Sequence, residues 1–333
     1  MSCRGDKADR ERENFMLVSG VSFFGCENFF TYEEKGHERM RKKAIYIGVA
    51  VALTLVAGGM AVYGHYDSKY MKFEDEYIES NTLDVLNIKS DRVLKTQAKE
   101  LRYFEIFENN LKNIRTLEDL EKFPKLEVLV NHGIRDYETE EGKKQFEKHF
   151  KPTLKEYARY QEMLKTTLPK LKNLKEVSFG SRTIFYDLDA FAGCTQIEEL
   201  WVEHNQVENI EGIAGMKSLR ILSLAHNKVA DISAFKELGN LEAVNLESVE
   251  VQNLQDLLEI PSLKLVLYEA KNEEEAKIIT ELCKKGVKVL EEKEGEEGFV
   301  EALEELGIER LGYDDIKDMN KEAEMKGENA KSK

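Results

Sequence analysis

Ile197-Glu-Glu-Leu-Trp-Val-Glu-His-Asn-Gln-Val-Glu-Asn-Ile210 is followed, 22 residues on, by Leu219-Arg-Ile-Leu-Ser-Leu-Ala-His-Asn-Lys-Val-Ala-Asp-Ile232. With Ile197 and Leu219 as offset 0, apolar residues recur at offsets 0, 3, 5, 10, 13, 16 and 19. In the second unit these are Leu219, Leu222, Leu224, Val229, Ile232, Phe235 and Leu238. Leu241, Val244, Leu246, Val251, Leu254, Leu257 and Ile260 repeat the pattern, and Leu263 opens another step. Offsets 3 and 5 alternate, which places both side chains on one face of a short strand. Offset 8 holds Asn205 and Asn227; an asparagine there bonds to free backbone groups where the chain leaves the strand, making a ladder between coils. No single coil can bury its own apolar edge, so the coils must stack. The expected fold is an α/β solenoid with one parallel sheet on its concave face.

Working outward, weaker copies extend the array. Leu101 to Ile114 fits, completed by Leu117, Leu120 and Phe123. Leu174, Val177, Phe179, Ile184, Leu188 and Phe191 fit with one extra residue and Arg182 in place of the asparagine. Leu126 and Leu129 begin a unit that is then interrupted, and Leu83, Leu86 and Ile88 are read as a degenerate first strand. Val249 replaces the asparagine in the third clear unit, so the ladder is expected to weaken there. On these residues the chain resembles the 22-residue class of leucine-rich repeats found in bacterial internalins, over Leu101 to Leu267 without the insertion. Internalins are surface adhesion and interaction proteins; the resemblance implies binding by the concave strand face and leaves the partner open.

Between Asn131 and Pro169 the repeat stops, and Phe146, Phe150, Leu154, Tyr157, Leu164, Leu168 and Leu171 follow helical spacing. Pro152 is expected to start a second helix. Two readings stand: an excursion packed on the solenoid's flank, or a specificity element on the binding face. Beyond Tyr268 a helix over Glu273–Lys285, ended by Gly286, a strand over Val287–Leu290 and a short helix over Phe299–Leu306 are read as a cap on the last coil. Lys317–Lys333 is polar and is read as disordered.

Ala44 to Tyr63 is uncharged and long enough to cross a bilayer core of roughly 30 Å as a helix. Arg39-Met-Arg-Lys-Lys43 precedes it and acidic residues from Asp67 follow it, so the repeats are expected outside the cytoplasm. The segment reads as a retained signal anchor, or as a cleaved signal peptide with Gly59-Met-Ala61 as its processing site. Met40-Arg-Lys-Lys43 is a more ordinary beginning for an exported bacterial protein than Met1, so translation is expected to start at Met40. The predicted organisation is a cytoplasmic segment over 1–43, a transmembrane anchor over 44–63, a linker and N-terminal cap over 64–100, the repeat domain over 101–270 with its insertion at 132–170, and a cap and tail over 271–333.

The formal net charge of -15 argues against nucleic acid, whose phosphates need clustered cations. Cys3, Cys26, Cys194 and Cys283 are widely spaced and match no metal or redox pattern. No phosphate loop, nucleophile elbow or zinc helix is present. His204 and His226 sit one repeat apart, and a metal needs more ligands than that pair. Neither a metal nor a cofactor is expected, and Glu198, Glu199, Glu203, Glu242 and Glu247 read as a solvated face rather than as catalytic acids. Offsets 1, 2, 4 and 6 are assigned to the outer strand face. The candidate partner-binding residues are therefore Tyr103, Glu199, Trp201, Glu203, Arg220, Ser223, Asn245 and Glu247, with Arg102, Glu105 and Glu242 beside them. Trp201, the only tryptophan, is expected exposed as an anchor, unless the insertion covers it. The acids around it favour a polar or basic protein or peptide partner. The expectation is a membrane-anchored binding module and not an enzyme; the competing readings are a self-associating scaffold of the cell envelope and an enzyme whose site the insertion completes.

Overall fold

Alternation decides the strands. Leu200 and Val202, Leu222 and Leu224, and Val244 and Leu246 enter the main core from offsets 3 and 5, so their neighbours at offsets 2 and 4 face the other way. The computed structural model describes residues 68–107, 111–132, 144, 153–180, 185–311 and 319–331. All lie in one compact unit, Asp67–Lys333. The anchor Ala44–Tyr63, Met40, Arg182, Ile184, Phe146 and Phe150 fall outside the described residues; among those described, no helix is long and apolar enough to cross a membrane.

Eight strands form one parallel sheet in chain order. They are β1 Tyr103–Phe107, β2 Val128–His132, β3 Glu176–Ser178, β4 Glu199–Trp201, β5 Ile221–Ser223, β6 Ala243–Asn245, β7 Leu265–Leu267 and β8 Lys288–Leu290. Glu199 pairs with Ile221, Ile221 with Ala243 and Ala243 with Leu265, each one coil further along. A sheet whose every neighbour is the next coil is a leucine-rich-repeat solenoid, held by nearest-neighbour contacts.

The return path is made of 3-10 turns, among them Asp189–Phe191, Glu211–Ile213 and Ser233–Glu237. Each starts two residues after an Asx side chain that accepts the turn's first N–H: Asp187 from Asp189 at 3.0 Å, Asn209 from Glu211 at 2.8 Å and Asp231 from Ser233 at 2.8 Å. The asparagine ladder is present. Asn227 Nδ2 donates to Val202 O of the preceding coil at 2.7 Å and to Leu224 O of its own at 3.0 Å, while its Oδ1 accepts from Val207 N at 3.0 Å. Asn205 does the same toward Phe179 O and Phe185 N. At Val249 the amide is replaced by a buried methyl pair, and the link to the preceding coil is taken up by Asn253 Oδ1, which accepts from Ile232 N at 2.9 Å.

Three expectations need correction. Leu83 lies in helix α1 (Glu76–Val85) and Leu86 caps it, so no degenerate strand precedes β1. Asp75 decides this: its carboxylate accepts from Tyr77 N and Ile78 N and starts a helix there. Asp75 and Asp119, both buried, also tie this cap to the first coil through Arg115 N, Glu74 N and Asp75 N. A short helix α2, Lys95–Ala98, leads into β1.

The insertion contributes α3 (Leu154–Thr167), started by a reciprocal cap between Thr153 and Glu156. Tyr157, Tyr160 and Leu164 join the main core, and α3 packs on the turns Glu118–Lys122 and Asp189–Phe191. It therefore lies on the flank made by the return path, and not on the sheet.

The C-terminal region holds the second and third corrections. Helix α4 (Glu273–Lys284) ends at Gly286, whose φ is 87°, and β8 extends the sheet beside β7. Helix α5 (Gly295–Glu305) does not stop at shielding the last coil: it packs on β7 of that coil and turns back over the sheet onto β6. Nor is the polar tail without structure: Lys321–Lys331 is helix α6, packed on α2. Composition alone missed this because few residues hold it, chiefly the buried Met319, Asn320 and Ala323 and an ion pair from Lys326 to Glu100.

Candidate partner-binding face

Strand register places two rows of side chains on the sheet face away from the main core. One row runs Tyr103, Val128, Glu176, Glu199, Ile221, Ala243, Leu265, Lys288. The other runs Glu105, Val130, Ser178, Trp201, Ser223, Asn245, Leu267, Leu290. The face thus has an apolar end around Ile221, Leu265 and Leu267 and an acidic middle at Glu176 and Glu199.

The chain's own C-terminal segment covers this face. Phe299, Leu303 and Ile308 form a second buried cluster with Trp201, Ile221, Ala243, Leu265 and Leu267. Farther along, Met319 and Leu311 pack on Val128 and Val130. Trp201 is therefore not the exposed anchor expected of it; among the described residues the C-terminal segment, and not the insertion's helix α3, covers it. It is 4% exposed, with the Phe299 ring edge-on at 6.3 Å and 78° and the Arg310 guanidinium 4.5 Å from its ring centroid.

The carboxylates beneath the segment are not solvated, as they were expected to be. Glu176, Glu199 and Glu203 are all buried. Glu199 accepts from Leu311 N at 2.9 Å and has Arg310 Nε at 4.0 Å, but burial still raises its pKa. Burial, with the charge of Glu199 second, pushes Glu176 up to about 8, against the pull of Arg310. Burial likewise pushes Glu203 up to about 7; Ser223 and Arg310 pull it down and Glu296 pushes it further up. Trp201 and Ser223 lie beside these acids and lower their pKa, yet Trp201 Nε1 and Ser223 Oγ complete no hydrogen bond of normal geometry among the described residues. Glu176 Oε2, Glu199 Oε2, Glu203 Oε1 and Asn245 Nδ2 are also without hydrogen-bond partners among the described residues.

The remaining candidates stand at the margins of this face. Arg220 stands at offset 1, at the entry to the strands, within an alternating series: Arg102, Glu127, Lys175, Glu198, Arg220, Glu242, Lys264. Arg102 pairs with Glu127, Lys175 with Glu198 at 3.3 Å, and Arg220 with Glu242 at 2.9 Å and Glu198 at 3.7 Å. Arg220 is thus a rung of a charge ladder between coils. Tyr103 is half-buried at the other end of the face; its hydroxyl donates to Glu105 at 2.9 Å. Glu247 lies 3.7 Å from His226 Nε2, and burial raises its pKa. His204 and His226 stack at 4.2 Å with φ of 53° and 56°, the left-handed turn that leads into each ladder asparagine. Among the described residues no group of three or more His, Cys, Asp or Glu side chains is placed to hold a metal.

Glu199, Trp201, Glu203, Ser223 and Asn245 are brought together on one face; Glu247 N donates to Asn245 Oδ1 at 2.9 Å and Arg220 donates to Glu309 O at 3.3 Å at the margin of the same face, whereas Tyr103 stands at the far end of the sheet. Sequence reasoning missed Glu176, Ile221, Leu265, Leu267 and, from the tail, Phe299, Arg310 and Leu311. One signal was readable: Ile221, Leu265 and Leu267 are large apolar residues at offsets 2 and 4, where a wet face carries polar ones.

No family model matches the chain, and no curated protein matches it either. Two solved structures show what it is similar to. An internalin (inlF) from Listeria monocytogenes is 15% identical, over 66% of this chain and 62% of that one, with a TM-score of 0.43. Internalin C2 from the same organism is 16% identical, over 66% of this chain and 94% of that one, with a TM-score of 0.42. The chain thus spans less than two thirds of the first, and its place among α/β leucine-rich-repeat solenoids stands on its own strand register.

Proposed function

We propose that this protein is a leucine-rich-repeat module that binds a protein or peptide segment on the concave, outer face of its sheet. In this reading Ala44–Tyr63 holds it in the cytoplasmic membrane with the repeats outside, the basic run before the segment marking the cytoplasmic side. One observation carries the binding role: the face already grips a polypeptide. Phe299 fills an apolar seat against Trp201, Arg310 lies over the indole and Leu311 N donates to Glu199. An aromatic anchor in a desolvated seat beside complementary charge is the anatomy of a polypeptide interface, and it favours binding over catalysis.

Proximity labelling by the full chain in cells tests this. A set of labelled proteins is expected with the native chain, retained with the exposed-edge variant Lys217→Ala and lost with the face variant Ile221→Glu. The same set with both variants overturns the binding face. External protease on spheroplasts is expected to degrade the repeats while the chain stays in the membrane fraction; protection of the repeats rejects the topology.

A further inference from the structure

The C-terminal segment fits the apolar end of the face well and the acidic middle poorly. Phe299, Leu303 and Ile308 are buried against Trp201 and its neighbours. In the middle, among the described residues, the covering segment brings one guanidinium, Arg310, to three buried carboxylates, and Arg220 reaches only Glu199, from the entry to the strands. Arg310 Nε stays 4.0 Å from Glu199 Oε2, beyond hydrogen-bond reach, and both atoms are without a hydrogen-bond partner among the described residues. Glu176 Oε2, Glu203 Oε1 and the fully buried Asn245 Nδ2 are likewise left over. Helix α5 makes the mismatch worse, because Glu296 adds negative charge near Glu203 and Glu247. Buried carboxylates are held well by charge-assisted donors, above all by guanidinium groups, and Arg310, even with Arg220 acting on Glu199, cannot serve all three of them.

Building on the binding role above, we propose that the face recognises a peptide segment carrying one aromatic anchor and at least two cationic side chains, and that this partner exchanges with the chain's own residues 295–311. The aromatic side chain takes the seat of Phe299. The first cation takes the place of Arg310 between Trp201 and Glu199, and the second reaches Glu203 where α5 now presents Glu296. The native segment is then a stand-in ligand, complementary in shape and deficient in charge. The raised pKa values of Glu176 and Glu203 have the same origin, burial without sufficient cations.

Trp201 is the only tryptophan, so its emission reads this seat directly. The probe is a labelled synthetic peptide with the sequence of residues 295–311 carrying Glu296→Lys, titrated by anisotropy into the full chain in detergent. Leu303→Ala is expected to shift Trp201 emission to the red while far-UV circular dichroism is kept. Because apparent affinity scales with the open fraction, the peptide is expected to bind Leu303→Ala about tenfold more tightly than the native chain. Adding Glu176→Gln and Glu203→Gln to Leu303→Ala is expected to weaken the lysine peptide about fivefold, and the unsubstituted peptide is expected to bind less tightly than the lysine one. Arg310→Ala is the second opening variant, used should Leu303→Ala lose its fold. Equal affinity for native and opened chains overturns the exchange, as does an unmoved Trp201 emission in both variants. Equal affinity for the lysine and glutamate peptides overturns the partner chemistry. No cellular partner enters this assay. Its failure with labelling intact removes only exchange and partner chemistry, while lost labelling with peptide binding intact removes only the cellular role.

Discussion

Asn227 does the work of several backbone groups at once. Its amide satisfies Val202 O, Leu224 O and Ala225 O and accepts from Val207 N, all at a buried site. Removing one partner leaves buried groups unmatched at about 1–3 kcal/mol, so Asn227→Ala is expected to lower stability by about 2–3 kcal/mol in urea unfolding; a change below half a kcal/mol would refute its bridging role. The buried acids make a second prediction at this scale. Under the segment Glu176 titrates at about 8 and Glu203 at about 7; released to water, both return toward 4.5. The covered state therefore binds more protons. Their contribution to covering is complete below 4.5 and is lost as pH rises through 7 to 8. Glu199, also raised, adds in the same sense; the charged groups that face these acids are Arg310, Arg220 and Glu296. Trp201 emission is expected to move to the red between about pH 6 and 9, and Glu176→Gln to flatten the change. A spectrum constant over that range rejects the linkage.

At the scale of elements, two coils approach closely on the return path at Gly212. A Cβ on Gly212 would sit 2.2 Å from Leu188 O of the preceding coil. Gly212→Ala must push two coils apart, with an expected loss of about 1–3 kcal/mol, read as a lowered urea midpoint; an unchanged midpoint would show that the turn relaxes freely. The strands from β1 to β7 were legible in sequence because offsets 3 and 5 repeat with the core. Helix α1 was not, since Leu83, Leu86 and Ile88 fit a strand pattern until the Asp75 carboxylate, fixed by Arg115 N of the first coil, is seen to cap a helix. Helix α6 was hidden for a related reason: its sequence is polar, and its order depends on docking beside α2.

For the whole molecule, the C-terminal segment links the two ends of the sheet. β1 is an edge strand, and an open edge invites pairing with another chain. Asn320 closes its start, where Oδ1 accepts from Arg102 N at 3.0 Å and Tyr103 N at 3.2 Å and Nδ2 donates to Tyr103 O at 3.0 Å, while Asn81 and Tyr77 of α1 bond Glu105 O and Phe107 N farther along. Asn320→Ala is expected to raise hydrogen exchange at Arg102 and Tyr103 at least about tenfold, the loss of roughly 1.4 kcal/mol of protection, while amides in β5 stay unchanged. Equal protection at Arg102 and Tyr103 would mean that the tail does not guard the edge.

The repeat spacing by itself determined the stacked coils, the parallel sheet, the asparagine ladder and the core that Leu222, Leu224, Val244 and Leu246 share. Those features follow from periods local to each coil, and local periods are written in the chain. What covers the outer face was decided only in three dimensions. Phe299 and Arg310 lie about a hundred residues from Trp201 in sequence and meet it because α5 folds back over β6 and β7. No periodicity records a contact at that separation, so Trp201 and Glu199 looked solvent-exposed when the chain's own C-terminal segment in fact buries them.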